Sequence, residues 1–251
     1  MLRSWSWPPS DPDCFRCEFV SFGAGLQTTA RTSLRGAWFI STGVWLMLEG
    51  PQVFVDIDTQ RDFLEPTGAL FVPGSTALVP HLARLTRFAR DQRIPILATA
   101  CAHTPDDPEL KTFPPHCMIG TAGQERVEAT CCGKSLIFDE QAQVPGEAPP
   151  HLTLLKRQYD LFTHPRADEL IALYAADRPV FVVYGVATDY CVAAAVHGLL
   201  ARHCRIALVV DAIRAIDKEA EAGILTEFAR RGVLLTMTDV ICDPGTRVPL
   251  D

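Results

Sequence analysis

The stretch Pro179–Ala201, PVFVVYGVATDYCVAAAVHGLLA, decides how the rest of the chain is read. Its first six residues, Pro179–Tyr184, form an almost unbroken β-branched and aromatic run, as expected of a strand covered on both faces. A turn of small and polar residues follows from Gly185 to Cys191, and Ala187–Ala201 reads as a helix. A fully buried strand that runs directly into a helix is half of a parallel crossover unit.

The same alternation extends outward in both directions. Upstream, Gln52–Ile57 and Pro95–Ala100 read as strands, separated by a helix over His81–Arg90 with Leu82, Leu85, Phe88 and Ala89 on one face. Ser135–Phe138 and Leu152–Leu155 are shorter strand candidates on either side of the Pro-rich loop Val144–Pro150, and Arg166–Ala176 reads as a helix. Downstream come a strand at Arg205–Val210, a helix at Lys218–Arg230 and a last strand at Val233–Met237. Right-handed crossovers then give an α/β protein, a three-layer α/β/α doubly wound sandwich of Rossmann-like type. Its sheet is expected to be mainly parallel, with about six strands.

Composition sets the outer limits. The chain has 251 residues, 48% hydrophobic and 21% charged, which excludes disordered, collagen-like and coiled-coil classes. A net charge of −7 argues against a nucleic-acid partner, whose footprint is a basic face. No run of about 18 apolar residues is present, so no membrane span is expected. The odd count of 9 Cys suits free thiols in a reducing, cytoplasmic setting. Residues 1–46 differ from the remainder. They hold all four Trp (Trp5, Trp7, Trp38, Trp45) and a lone Cys14/Cys17 pair without further zinc ligands nearby. They are read as a poorly ordered extension or a mis-extended start ahead of Met47, with one domain over 47–251.

In doubly wound sheets the site lies off the carboxyl ends of the strands. There the sequence places Asp58 after the first strand, Cys101-Ala102-His103 after the second, Lys156 after Leu152–Leu155, and Cys191 in the turn after Tyr184. Singly, each has a plain structural reading: a core cysteine, a solvated edge lysine, a capping aspartate. Together they describe nucleophilic catalysis, with a thiol activated by a lysine and a helix N-terminus and an aspartate to carry its proton. Backbone amides of the Gly185–Cys191 turn would stabilise an oxyanion. Cys117, Cys204 and Cys242 read as packing residues, and the adjacent Cys131 and Cys132 are poorly placed for a disulfide.

From about residue 52 to 240 these motifs resemble the isochorismatase-like cysteine hydrolase superfamily, nicotinamidases included. Asp58-Thr59-Gln60-Arg61-Asp62-Phe63 is similar to the family's opening D-x-Q-x-D-F pattern, and Gly68–Ser75 to its following glycine-bearing loop. Gly185-Val186-Ala187-Thr188-Asp189-Tyr190-Cys191 is similar to its nucleophile motif. The resemblance implies Asp58, Lys156 and Cys191 as the catalytic trio and a cis Val186–Ala187 peptide. It also implies an oxyanion hole of the Ala187 and Cys191 amides, and substrate contacts from Gln60, Phe63 and Val186. Phe113–Thr121 resembles the nicotinamidase segment W-P-x-H-C-x-x-G-T, whose His binds a metal, usually zinc, with an Asp-x-His pair and one more His. Here the corresponding set is Cys101, His103, His116 and Glu109, with Asp107 the alternative to Glu109. All of these are acceptable zinc donors; the other reading is that the histidines bond to loops and Cys101 packs.

The activity implied is hydrolysis of a small carboxamide, nicotinamide-like, through a thioester, without an organic cofactor. Ureido or carbamoyl amide hydrolysis, isochorismatase-type ether hydrolysis and a non-catalytic binding subunit are the alternatives. A homo-oligomer is expected by resemblance alone.

Overall fold

The computed structural model describes residues 48–243. The expectations for residues 1–46 and for Met47 lie outside the described residues. Seven strands alternate with helices: β1 Gln52–Ile57, α1 Arg61–Leu64, α2 Val79–Asp91, β2 Ile96–Cys101, β3 Leu136–Phe138, β4 His151–Lys156, α3 Ala167–Tyr174, β5 Val180–Val186, α4 Ala193–Ala201, β6 Arg205–Arg214, α5 Lys218–Arg230, β7 Leu234–Thr236 and α6 Thr238–Cys242. They form one sheet in the order β3-β4-β2-β1-β5-β6-β7, and every pairing is parallel.

Alternation along β1 builds the layers. Val53, Val55 and Ile57 enter a core with α3, α4 and α5, while Phe54 enters a second core with Leu82 and Leu85 of α2 and Ile241 of α6. On α2 the buried residues Leu82, Leu85 and Ala89 recur at helical spacing, each completely enclosed. Full burial of such a leucine is worth roughly 1.5–3 kcal/mol. The expected three layers are therefore present.

Two departures from the sequence reading shape the carboxyl edge of the sheet. The helix read as starting at Ala187 begins instead with a π-turn over Thr188–Val192, and α4 proper starts at Ala193. The strand read as ending at Val210 continues to Arg214, past a register shift between Val183 and Gly185. An irregularity there turns the chain at the carboxyl edge of β5, where local propensity sees only a good helix former after a good strand. The segments 61–75 and 103–130, whose geometry periodicity leaves open, contain α1 and three short 3-10 turns, with a fourth starting at Ser75.

Order β4-β2-β1-β5 means that the chain leaves β1 on one side and returns on the other. That reversal opens a crevice at the carboxyl ends of these strands. Among the described residues no helix is long and apolar enough to cross a membrane.

Gly185 makes the crevice geometry possible. Its φ is +119°, and a Cβ there would lie 2.0 Å from the Ile57 carbonyl oxygen. Gly185→Ala is therefore expected to lower stability by about 3 kcal/mol, measured as a fall in the urea midpoint with an unchanged slope.

Candidate active site

Four strand ends deliver the reactive side chains. Asp58 follows β1 with a left-handed backbone, φ +49°. Thr99 of β2 holds it there, its hydroxyl donating to Asp58 Oδ1 at 2.6 Å and accepting from the Asp58 amide at 3.2 Å. Lys156 ends β4 with its Nζ 2.8 Å from Asp58 Oδ2, both side chains withdrawn from water. Cys191 lies in the π-turn, its Sγ 3.8 Å from the same Nζ. The three residues that the sequence groups as a trio thus meet at one ammonium.

A fourth group joins that meeting, and the motifs do not announce it. Cys101 Sγ is 3.1 Å from Lys156 Nζ, nearer than Cys191, and 3.9 Å from Asp58 Oδ2. Lys156 also donates to the Gln158 carbonyl at 3.1 Å. Three ammonium protons therefore face four acceptors, and Cys191 is the most distant. The signal that could have found it is strand register, since Cys101 is the direct strand neighbour of Lys156.

Burial works against the activation of Cys191 that Lys156 is expected to supply. Burial pushes the Cys191 thiol well above its ordinary pKa; Lys156 opposes this, while the Asp58 carboxylate adds to it by its charge and its hydrogen bond. Because Asp58 already neutralises Lys156 at contact distance, the pair presents little net positive charge to the sulfur. Burial and the Asp58 charge thus favour the protonated thiol, beside a carboxylate within reach of the same ammonium. The N-terminal turn adds what the sequence suggests. The Val186–Ala187 peptide is cis. The amides of Tyr190 and Val192 both close on the Ala187 carbonyl at 3.1 Å, and neither bond involves the Cys191 amide.

The metal-ligand candidates also converge. One donor atom from each of Cys101, His103 and His116 lies within 4.8 Å of the others. Glu109 Oε1 is 3.9 Å from His103 Nε2 and 3.8 Å from His116 Nε2. Four zinc donors in tetrahedral array stand about 3.4 Å apart, from bond lengths of roughly 2.0–2.3 Å. The distal nitrogens are fixed: His103 Nδ1 faces Asp107 at 3.2 Å and His116 Nδ1 faces the Pro114 carbonyl at 2.8 Å. Such outer partners aim each Nε2 inward. Burial first, and then neighbouring positive charge, lowers both imidazole pKa values, which favours the neutral, ligating form. His103 Nε2 and Glu109 Oε2 are buried without a hydrogen-bond partner among the described residues, a costly state that a cation would relieve. The residues fit a metal ion. Asp107, the alternative to Glu109, stands behind His103 and pairs with Arg157, which leaves Glu109 as the inward carboxylate.

Above these groups is a cleft open to solvent, about 330 Å3 with its open mouth included. Phe63, Phe113, Tyr159, Tyr190 and Ile216 supply most of its wall, and Cys191, Ala187, Glu109 and His116 also line it. Of the three residues expected to contact substrate, Phe63 lines this cleft and Gln60 and Val186 do not. Gln60 is a backbone clamp: its amide accepts from Cys101 N at 2.7 Å and donates to the carbonyls of Cys101 and Gln124 at 2.8 and 2.7 Å. Val186 is completely buried in the core. Asp62, which the sequence reading gives no role, accepts from the amides of Ala69 at 2.9 Å and Cys117 at 2.6 Å. It thereby joins two loops of the cleft.

An α/β sandwich with an Asp, a Lys and a Cys at its switch point is a design shared by a class of hydrolases. The isochorismatase domain model matches residues 52–240. The chain belongs to the isochorismatase family. A curated relative, nicotinamidase 1 of Arabidopsis thaliana, is 44% identical over 52 residues, and the match spans 21% of each chain. N-carbamoylsarcosine amidase from Thermoplasma acidophilum superposes with a TM-score of 0.60 at 24% identity, over 76% of this chain and 98% of that one. The pyrazinamidase of Pyrococcus horikoshii in complex with zinc superposes with a TM-score of 0.61 at 24% identity, over 75% and 99%. At these identities the likeness of the two structures is one of fold. Membership of the family makes this chain a hydrolase.

The electrostatics give a test with an unusual sign. Asp58→Asn removes the charge and the hydrogen bond that raise the Cys191 pKa and leaves Lys156 unneutralised. Iodoacetamide is therefore expected to alkylate Cys191 faster in Asp58→Asn than in the parent at pH 7, read by peptide mass spectrometry. An unchanged or slower rate would contradict this account of the thiol.

Proposed function

We propose that this protein is a cysteine amidohydrolase that converts a small, uncharged carboxamide, nicotinamide-like, to the acid and ammonia. The observation that carries the reading is the meeting of Asp58, Lys156 and Cys191 beneath a small, aromatic-walled cleft. As Cys191 Sγ attacks the carbonyl carbon, its proton passes to Asp58, and the oxyanion is received by the backbone amides of Ala187 and Cys191. Lys156 holds Asp58 in place and balances the negative charge while sulfur, oxygen and carboxylate exchange it. Collapse of the tetrahedral species breaks the C–N bond, and Asp58 returns the proton to the departing ammonia. Asp58 then takes a proton from water, which attacks the thioester; the acid leaves and Cys191 regains its proton.

The choice of amide follows from the wall of the cleft, whose lining includes neither Lys nor Arg. A carbamoyl amino acid carries a carboxylate and isochorismate carries two, and among the described residues the lining offers no Lys or Arg to pair with them. A flat, neutral ring is instead well matched to Phe63, Phe113 and the two tyrosines. Zinc fits the donor set of Cys101, His103, Glu109 and His116. When bound, it would supply a coordination point for a ring nitrogen of the substrate. Reduced thiols and the acidic charge are in keeping with a cytoplasmic enzyme that binds no nucleic acid, and the family resemblance with a homo-oligomer.

Ammonia release across a panel of small amides tests the reading. Cys191→Ala is expected to abolish turnover with the fold intact by circular dichroism, and Asp58→Asn to lower kcat by about 10²–10⁴. A chelator is expected to weaken hydrolysis of ring-nitrogen amides, with zinc restoring it. Hydrolysis that persists in Cys191→Ala would overturn the mechanism.

A further inference from the structure

Four hydrogen bonds that the proposed reaction does not use tie the nucleophile turn to the loop after β6. Asp189, two residues before Cys191, accepts from the amide of Ile216 on one oxygen at 3.0 Å and from that of Asp217 on the other at 2.9 Å. Glu221, on the first turns of α5, accepts from the Ala215 amide at 3.0 Å and from the Thr188 hydroxyl at 2.9 Å. Three consecutive amides, those of residues 215–217, are therefore each held by a carboxylate. One of those carboxylates belongs to the turn that carries Cys191, and the other is bonded to it.

The residue in the middle of the tie is apolar and half-exposed. Ile216 keeps 39% of its surface accessible, yet it lines the cleft with Tyr190 and Cys191. Core packing alone does not hold a side chain so exposed. Hydrogen bonds to ionised acceptors are stronger and more directional than neutral ones, and here they fix the backbone on both sides of Ile216.

We propose that Asp189 is a positioning residue that, with Glu221, holds Ile216 as the wall limiting the size of group that reaches Cys191. The inference rests on the amidase reading only for the identity of the occupant, a carboxamide whose ring edge seats against Ile216. In Asp189→Asn one carboxylate oxygen becomes a donor facing an amide donor, so one tie is released without loss of side-chain volume. Both bonds to Glu221 fall on Oε1, which a glutamine carbonyl would keep, so the second tie is released by Glu221→Ala instead.

The experiment reads access to Cys191 without requiring turnover. Alkylation by N-methylmaleimide and by the bulkier N-phenylmaleimide, which share one reacting group, is compared at Cys191 by peptide mass spectrometry. The ratio of the two rates cancels any change in sulfur reactivity, because both reagents meet the same thiol. Ile216→Ala is expected to shift the ratio toward the bulky reagent roughly tenfold, the scale on which an apolar wall discriminates. Asp189→Asn and Glu221→Ala shift it in the same direction. The double variant Asp189→Asn/Ile216→Ala shifts it no further than Ile216→Ala alone, because both changes act through one wall. Equal slowing of both reagents in Asp189→Asn, or full additivity in the double variant, would overturn the proposal. Should Asp189→Asn fail to fold by thermal melting, Glu221→Ala with Ile216→Ala carries the same cycle. In parallel, kcat/KM for benzamide against 2-naphthamide is expected to move with the alkylation ratio. No amide turnover in the parent, with the ratio still shifting, would overturn the amidase reading and leave the brace standing.

Discussion

Everything at the carboxyl edge of this sheet is arranged around one buried ion pair, Lys156 with Asp58. Each charge alone would be very costly to remove from water, and each makes the other tolerable. Once formed, the pair fixes what its neighbours can be. It offsets the positive charge that the Cys191 thiol would otherwise meet and holds both partners within reach of the sulfur. It also places Cys101 against the ammonium, so that the triad and the group of candidate metal ligands share a side chain's surroundings. The switch-point order of the strands is what allows partners from β1 and β4, separated in the sheet by β2, to reach one another over the edge.

A recurring device secures the loops around that pair. Asp62 accepts two backbone amides from separate loops, and Asp107 accepts the Thr104 amide while orienting His103. Asp189 accepts two amides from the loop after β6. A carboxylate has capacity for several donors and no donor of its own, so it suits segments whose amides have no strand or helix partner. Gln60 performs the two-sided version, giving and accepting at Cys101. Acidic residues near the cleft thus act mainly as scaffolding, and the net negative charge of the chain says little about the ligand.

How far the sequence discloses this depends on the range of the interaction concerned. Strand and helix order follow from local periodicity, and all seven strands answer to apolar runs, β3 and β7 being the shortest. Asp58, Lys156 and Cys191 are legible because each follows a strand, where chain order alone fixes their place. The role of Gln60 is not, because a motif records which residue stands at a position and not which way its amide faces. Ile216 and Glu221 carry no local signal, since their significance comes from a loop closing on a turn about 30 residues earlier in the chain. The state of the thiol is hidden for a related reason: a lysine near a sulfur looks activating until the carboxylate already in contact with it is seen.

The central position of β1 has a consequence for how the molecule comes into being. Its neighbour β2 arrives soon after it, but Gln52 on its other side pairs with Val180, 128 residues further along. Such distant pairing carries a large loop-closure penalty before it returns any contact energy. Asp58 and Lys156 both precede Cys191 in the chain, so during synthesis they leave the ribosome before it. The crevice at the junction of β1 and β5 is therefore complete only once this distant pairing has formed.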